Sequence, residues 1–165
     1  MLIKRLIIRV GRRISLRLNM KLQVIHGPNL NALGQREPKI YGYTTLAELD
    51  QGLKNLGNAH GYTIACLQSN HEGVILDAIY AVAQGDYTGL IINPGGLTHT
   101  SVSLRDALAM LAIPIIEVHI SSLYKREPFR HKSYTAGVST GQITGLGVYG
   151  YYAAVRYFID YSLAE

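Results

Sequence analysis

Two side chains at the end of an apolar run, Glu117 and His119 in Ile115-Ile-Glu-Val-His119, are the first with spacing suited to proton transfer. Residues i and i+2 on an extended strand share a face, so the carboxylate can reach the imidazole, orient it and favour its charged form. That makes His119 a candidate general acid or base. A plain structural hydrogen bond satisfies the same pair equally well. A second candidate lies in Gly-Pro-Asn-Leu-Asn-Ala-Leu-Gly-Gln-Arg-Glu-Pro-Lys-Ile-Tyr-Gly, residues 27–42, which carries Asn29, Arg36 and Tyr41. A phenol with a pKa of about 10 is a poor base at neutral pH. A guanidinium within a few ångströms lowers an acid's pKa by about 1 to 3 units, which would turn Tyr41 into a usable base if the loop folds Arg36 back onto it. Otherwise Tyr41 is an aromatic plug beside a surface arginine.

Two further segments add binding groups. In Asn93-Pro-Gly-Gly-Leu-Thr-His-Thr-Ser101, the amides of Gly95 and Gly96 and the hydroxyls of Thr98, Thr100 and Ser101 stand at a helix start and suit an anion or polyol. In His119-Ile-Ser-Ser-Leu-Tyr-Lys-Arg-Glu-Pro-Phe-Arg-His131, Arg126 or Arg130 can clamp a carboxylate, because guanidinium is a planar fork of donors.

All of these segments follow apolar runs, and the chain alternates such runs with amphipathic helices. Strands are expected at 22–26, 62–68, 90–93, 115–119 and about 142–145, and helices at 45–58, 72–84, 101–111 and 149–162. Thr45-Leu-Ala-Glu48 is a capping box that opens the first helix. Apolar and tyrosine positions cover most of the last helix, which suggests burial or a subunit contact. Five strands interleaved with helices predict an α/β, flavodoxin-like three-layer sandwich with a parallel sheet in the order 2-1-3-4-5. In such sheets ligands bind beyond the carboxyl ends of the strands, at the switch point between strands one and three. The long loop and both polar segments lie there, too long to be mere connection.

The chain has 165 residues, enough for one domain with its own core. Its formal charge of +5 is unevenly placed. Residues 1–19 hold six basic residues and no acid, whereas residues 20–165 hold ten basic and eleven acidic ones, a formal balance of −1. A nucleic-acid face needs clustered Lys and Arg, and the dense group Lys125, Arg126, Arg130 and Lys132 is better matched to a small anion. Leu2, Leu6, Val10, Ile14 and Leu18 recur at helical spacing among arginines. This segment is either an organelle-targeting sequence or an upstream extension, and it lacks the apolar length of a membrane span. The fold is therefore expected in residues 20–165, in a protein of the cytoplasm unless residues 1–19 direct it elsewhere. Cys66, the single cysteine, lies in an apolar stretch and reads as a small buried side chain.

Gly145-Leu-Gly147-Val-Tyr-Gly150 matches the dinucleotide pattern G-x-G-x-x-G. No second βα half follows it to present an acidic residue to a ribose, so tight helix–strand packing explains the glycines better. His99, His119 and His131 lack the spacing of a metal site, and no metal is expected. A signalling receiver would need acidic residues after strand one, where His26 and Gly27 stand. A flavin module would retain a yellow cofactor, and a Schiff-base enzyme would have to use Lys39, Lys125 or Lys132.

GPNLNALGQREPKIYG, QSNHEG, NPGGLTHTSVSLRDAL and IEVHISS followed by REPFRHKS resemble, in order, the signature blocks of type II 3-dehydroquinate dehydratase. The resemblance runs from about Leu22 to the final helix. It implies a cofactor-independent lyase, assembled as a dodecamer from trimers, that dehydrates 3-dehydroquinate to 3-dehydroshikimate in the shikimate pathway or in quinate catabolism. It further implies that Tyr41 is the base, with Arg36 holding it as phenolate on a loop that closes as a lid. Asn29 would help stabilise an enolate through a bound water, and His119, oriented by Glu117, would protonate the departing hydroxyl in a stepwise anti elimination. Ile120 and Ser121 would hold the substrate carboxylate, Asn93, His99 and Arg130 the ring hydroxyls, and Asp106 would reach a neighbouring subunit's site. The chain departs from the family's usual pattern at His26 and Ser122, where asparagine is common. Altered supporting hydrogen bonds, rather than lost activity, are expected there.

Overall fold

The computed structural model describes residues 20–35 and 42–164; segment 1–19, Arg36 and Tyr41 lie outside the described residues. Five strands form one sheet: β1 (Met20–His26), β2 (Tyr62–Gln68), β3 (Gly89–Asn93), β4 (Ile115–His119) and β5 (Gly141–Thr144). Their order is β2-β1-β3-β4-β5 with every pairing parallel, the topology expected from the alternation of elements. Among the described residues, four helices cover it: α1 (Leu46–Asn58), α2 (Glu72–Gln84), α3 (Val102–Ala109) and α4 (Tyr149–Ala164).

Alternation along each strand sends successive side chains to opposite layers. Leu22, Val24, Ile91, Ile116 and Val118 join Leu49 and Leu53 of α1 and Tyr151, Val155 and Phe158 of α4 in one core. Ile25, Leu90, Ile92 and Ile115 join Ile75 and Ile79 of α2 and Leu104 and Leu108 of α3 in the other. Burial on both faces is why the central strands read as continuous apolar runs rather than as polar–apolar alternation.

The capping box forms: the Thr45 hydroxyl accepts from the Glu48 amide at 3.2 Å, and the Glu48 carboxylate accepts from the Thr45 amide at 2.8 Å. β1 begins two residues before the expected Leu22. α3 spans Val102–Ala109 rather than 101–111, because Ser101 is its cap, accepting from the Leu104 amide at 2.8 Å. The loops contain 3-10 turns at Leu30–Ala32, Gly95–His99, Leu123–Lys125, Pro128–His131 and Ala136–Val138. Single turns carry no periodicity, so the sequence pattern does not reveal them.

The glycines of the dinucleotide-like motif are packing and turn residues. A Cβ on Gly150 would lie 3.2 Å from Val118 and 3.3 Å from Ile143, and Gly145 and Gly147 have φ of 87° and 60°. Their turn grips the loop after β4, the Gly145 amide donating to His119 O at 3.1 Å and the Gly147 amide to Ile120 O at 3.0 Å. Among the described residues no helix is long and apolar enough to cross a membrane.

Candidate active site

The carboxyl ends of β1, β3 and β4 turn into loops that line one cleft of about 190 Å³. The loop after β1 contributes Pro28, Asn29 and Leu30; the loop after β3 contributes Asn93, Gly95, Gly96 and His99; β4 and its loop contribute His119, Ile120, Ser121, Arg126 and Arg130. Of the candidates from the sequence, the structure thus brings together Asn29, Asn93, His99, His119, Ile120, Ser121 and Arg130, with Glu117 directly behind.

β4 sets the centre of the site. Glu117 and His119 share a strand face, and His119 Nε2 lies 2.6 Å from Glu117 Oε1. Both are buried, at 0% and 5% exposure. The same carboxylate oxygen accepts from Thr98 Oγ1 at 2.8 Å and from Gln142 Nε2 at 2.9 Å. Burial pushes the Glu117 carboxyl up, but hydrogen bonding and charge from His119, joined by Thr135 and Thr98, outweigh it and hold the group below the ordinary carboxylate value. An ionised Glu117 only accepts, so His119 Nε2 carries a proton toward it and Nδ1 is the ring nitrogen left for chemistry in the cleft.

His99 is fixed in a complementary way. Its Nδ1 lies 2.7 Å from Lys132 O, a carbonyl that can only accept, so Nε2 is left as an acceptor for a hydroxyl. The His99 and His119 rings stack with centroids 6.5 Å apart. The Arg130 guanidinium is held by Glu127 at 2.8 Å and lies over the Phe129 ring. Arg126 Nη1 donates to Ser121 Oγ at 3.3 Å, so both candidate clamps line the cleft. The Ser121 carbonyl accepts from Thr144 Oγ1 at 3.0 Å, which fixes the peptide between β4 and the cleft.

Asn29 adopts φ 70°, the one positive φ outside glycine among the described residues, a conformation asparagine tolerates better than most. Its amide donates to Asn70 Oδ1 at 2.8 Å, and Asn70 also accepts from Gln68. Gly27 lets this loop approach the next: a Cβ there would stand 2.6 Å from Pro94 O.

Several expectations need correction. Thr98 does not face a ligand, being fully buried against Glu117. Ser101 caps α3 and bonds Glu72, and Thr100 points back to Gly96 O; only the Gly95–Gly96 part of that cradle lines the cleft. Asp106 is not among these corrections: expected at a neighbouring subunit's cleft and not at this one, it stands on α3, exposed and paired with Arg105 at 2.7 Å. Thr135, Ser133, Gln142 and Asn70 escape sequence reasoning because each supports a distant residue through a fold contact.

Cys66 is half-buried rather than fully so. With His26 and Asp50 it forms a grouping whose ligand-type atoms lie within 4.8 Å of one another. Burial, with the neighbouring Asp50, pushes its thiol up to about 12. The thiolate that a metal requires is therefore costly there.

Residues 20–159 match the family model "Dehydroquinase class II". The chain is 55% identical over 140 residues to the 3-dehydroquinate dehydratase of Roseiflexus castenholzii, covering 85% of this chain and 88% of that one. It is 54% identical over 136 residues to the 3-dehydroquinate dehydratase of Bordetella avium, covering 82% and 94%. The crystal structure of type II dehydroquinase from Propionibacterium acnes superposes with a TM-score of 0.83 at 38% identity, covering 87% of this chain and 98% of that one. With the sheet order, the loop-built cleft and nearly the whole length of these relatives in agreement, the chain belongs to the class II dehydroquinase family.

Proposed function

We propose that this hydro-lyase dehydrates 3-dehydroquinate to 3-dehydroshikimate by stepwise elimination through an enolate. The observation that carries this reading is the Glu117–His119 pair: a buried carboxylate fixes one ring nitrogen and leaves the other at a cleft lined by guanidinium and amide donors. Such a histidine can deliver a proton to a leaving hydroxyl. A carboxylate on the substrate finds backbone amides at Ile120 and Ser121 and the Ser121 hydroxyl, and ring hydroxyls find Asn93, His99 and Arg130. Removal of the proton beside the ketone is assigned to Tyr41 with Arg36, and enolate stabilisation to Asn29 through a water. These assignments rest on family membership and on the spacing of the three residues in one loop.

The same membership supports a cofactor-independent reaction, assembly into a dodecamer of four trimers in which Asp106 reaches a neighbouring cleft, and a cytoplasmic role in aromatic biosynthesis or quinate catabolism. Exposed Asp106 on α3 is available for such a contact. Residues 1–19 precede the family match and are read as a separate basic extension.

Tyr41→Phe tests the base. It should lower kcat by about a thousandfold, within the range that general acid–base groups supply, and leave thermal unfolding unchanged. Retained turnover would remove Tyr41 from the mechanism. Borohydride added with substrate should leave the protein mass unchanged; a covalent adduct on lysine would instead indicate imine chemistry.

A further inference from the structure

Three hydroxyls stand behind the Glu117–His119 pair, and none of them lines the cleft. Thr98 and Thr135 are fully buried, and Ser133, the last residue of the REPFRHKS segment, is half-buried. Thr98 Oγ1 lies 2.8 Å from Glu117 Oε1, 2.5 Å from Thr135 Oγ1 and 2.9 Å from Ser133 Oγ. Ser133 Oγ also lies 3.4 Å from Glu117 Oε1 and accepts from the Ala136 amide at 2.8 Å. Backbone bonds hold the two segments together: the Tyr134 amide donates to Thr98 O at 2.8 Å. Glu117 Oε2 is buried with no hydrogen bond among the described residues, so the carboxylate is held through Oε1.

The direction of each bond follows from which atoms can donate. An ionised carboxylate only accepts, so the single hydroxyl proton of Thr98 goes to Glu117 Oε1. Thr98 Oγ1 then meets Thr135 as an acceptor, and the Thr135 proton points inward. The Ala136 amide occupies a lone pair of Ser133, whose own proton finds Thr98 Oγ1 or Glu117 Oε1 on the same side. All three hydroxyl protons therefore point toward one carboxylate oxygen, which also receives Gln142 and His119. Hydrogen bonds to a charged group are the strong ones, and linked hydroxyls reinforce one another.

We propose that Thr98, Ser133 and Thr135 are positioning residues for the elimination: their hydroxyls form a chain that ends on Glu117 Oε1 and holds the carboxylate where it fixes the His119 ring. The chain thereby sets which nitrogen of His119 faces the cleft. It acts on proton delivery to the leaving hydroxyl and not on how substrate is held. This role rests on the dehydratase reading above.

The test is steady-state kinetics with 3-dehydroquinate on Thr98→Val, Thr98→Ser, Thr135→Val and Thr135→Ser, with Thr98→Val also made together with His119→Ala. Valine keeps the branched shape and removes the hydroxyl; serine keeps the hydroxyl. Thr98→Val should lower kcat about tenfold, the worth of one hydrogen bond to a charged group, with KM within about twofold. Thr135→Val, further from the carboxylate, should lower kcat about threefold, the worth of a weaker neutral bond. Both serine variants should keep kcat within about twofold of wild type, because the donor remains. In the His119→Ala background, read at high enzyme concentration, Thr98→Val should cost less than about twofold, since the ring it serves is gone. Wild-type kcat in both valine variants, a change confined to KM, an equal loss in the serine variants, or an undiminished loss without His119 would overturn this role while leaving the dehydratase reading intact. Wild type that does not turn over 3-dehydroquinate would sink both. Should Thr98→Val fail to fold, the Thr135 pair decides alone.

Discussion

Glu117 carries more of this site than its exposure of zero suggests. Its Oε1 gathers donors from β4, β5 and the loop after β3, and it is the group that gives His119 a fixed orientation. Glu117→Gln keeps the size but places an amide among donors, so kcat should fall about a hundredfold while KM moves little. Protonation has a consequence for stability as well. A carboxyl held below its ordinary value of about 4.3 contributes stability that is fully present above that value and is lost as pH falls through the depressed one. Melting temperatures measured across the acid range should therefore fall less steeply in Glu117→Gln than in wild type; equal slopes would mean that Glu117 is not ionised in the fold. The pair itself was legible from the chain, because i and i+2 on a strand share a face whatever the fold. Thr98, Thr135 and Gln142 were not, since only tertiary structure brings 98, 135 and 142 to position 117. His26 was legible as unusual, but its bonds to Asp50 and Tyr151 were not, for the same reason.

The strands of this protein work mainly as mounts whose carboxyl ends set where loops begin. Their existence and order followed from continuous apolar runs alternating with capped helices, and they appear close to the expected boundaries. The 3-10 turns that shape the cleft did not, being too short for any periodicity. Gly27 joins two of the mounts: its amide donates to Asn93 O at 2.8 Å, and the absence of a side chain lets the loop carrying Asn29 lie against Pro94. A methyl there would meet backbone and not a yielding side chain. Gly27→Ala should therefore lower thermal stability by about 1 to 3 kcal/mol and reduce kcat/KM by forcing Asn29 and Asn93 apart. Wild-type stability and turnover in this variant, followed by melting and initial rates, would show that the two loops are not held by their close approach.

At the scale of the whole molecule, the sheet reverses its order between β1 and β3, and this is where the cleft opens. Two apolar layers, one under α1 and α4 and one under α2 and α3, hold the sheet rigid behind loops that need hold only polar groups in register. A carboxylate-fixed histidine, a firmly braced peptide after β4 and convergent donors form a setting for eliminating water from a hydroxylated acid. The most direct measurement is ultraviolet absorbance after 3-dehydroquinate is added to the full-length wild-type protein. The absorbance of the conjugated enone should rise at a rate proportional to enzyme concentration. A flat trace from folded protein, with substrate recovered unchanged, would contradict the dehydratase reading.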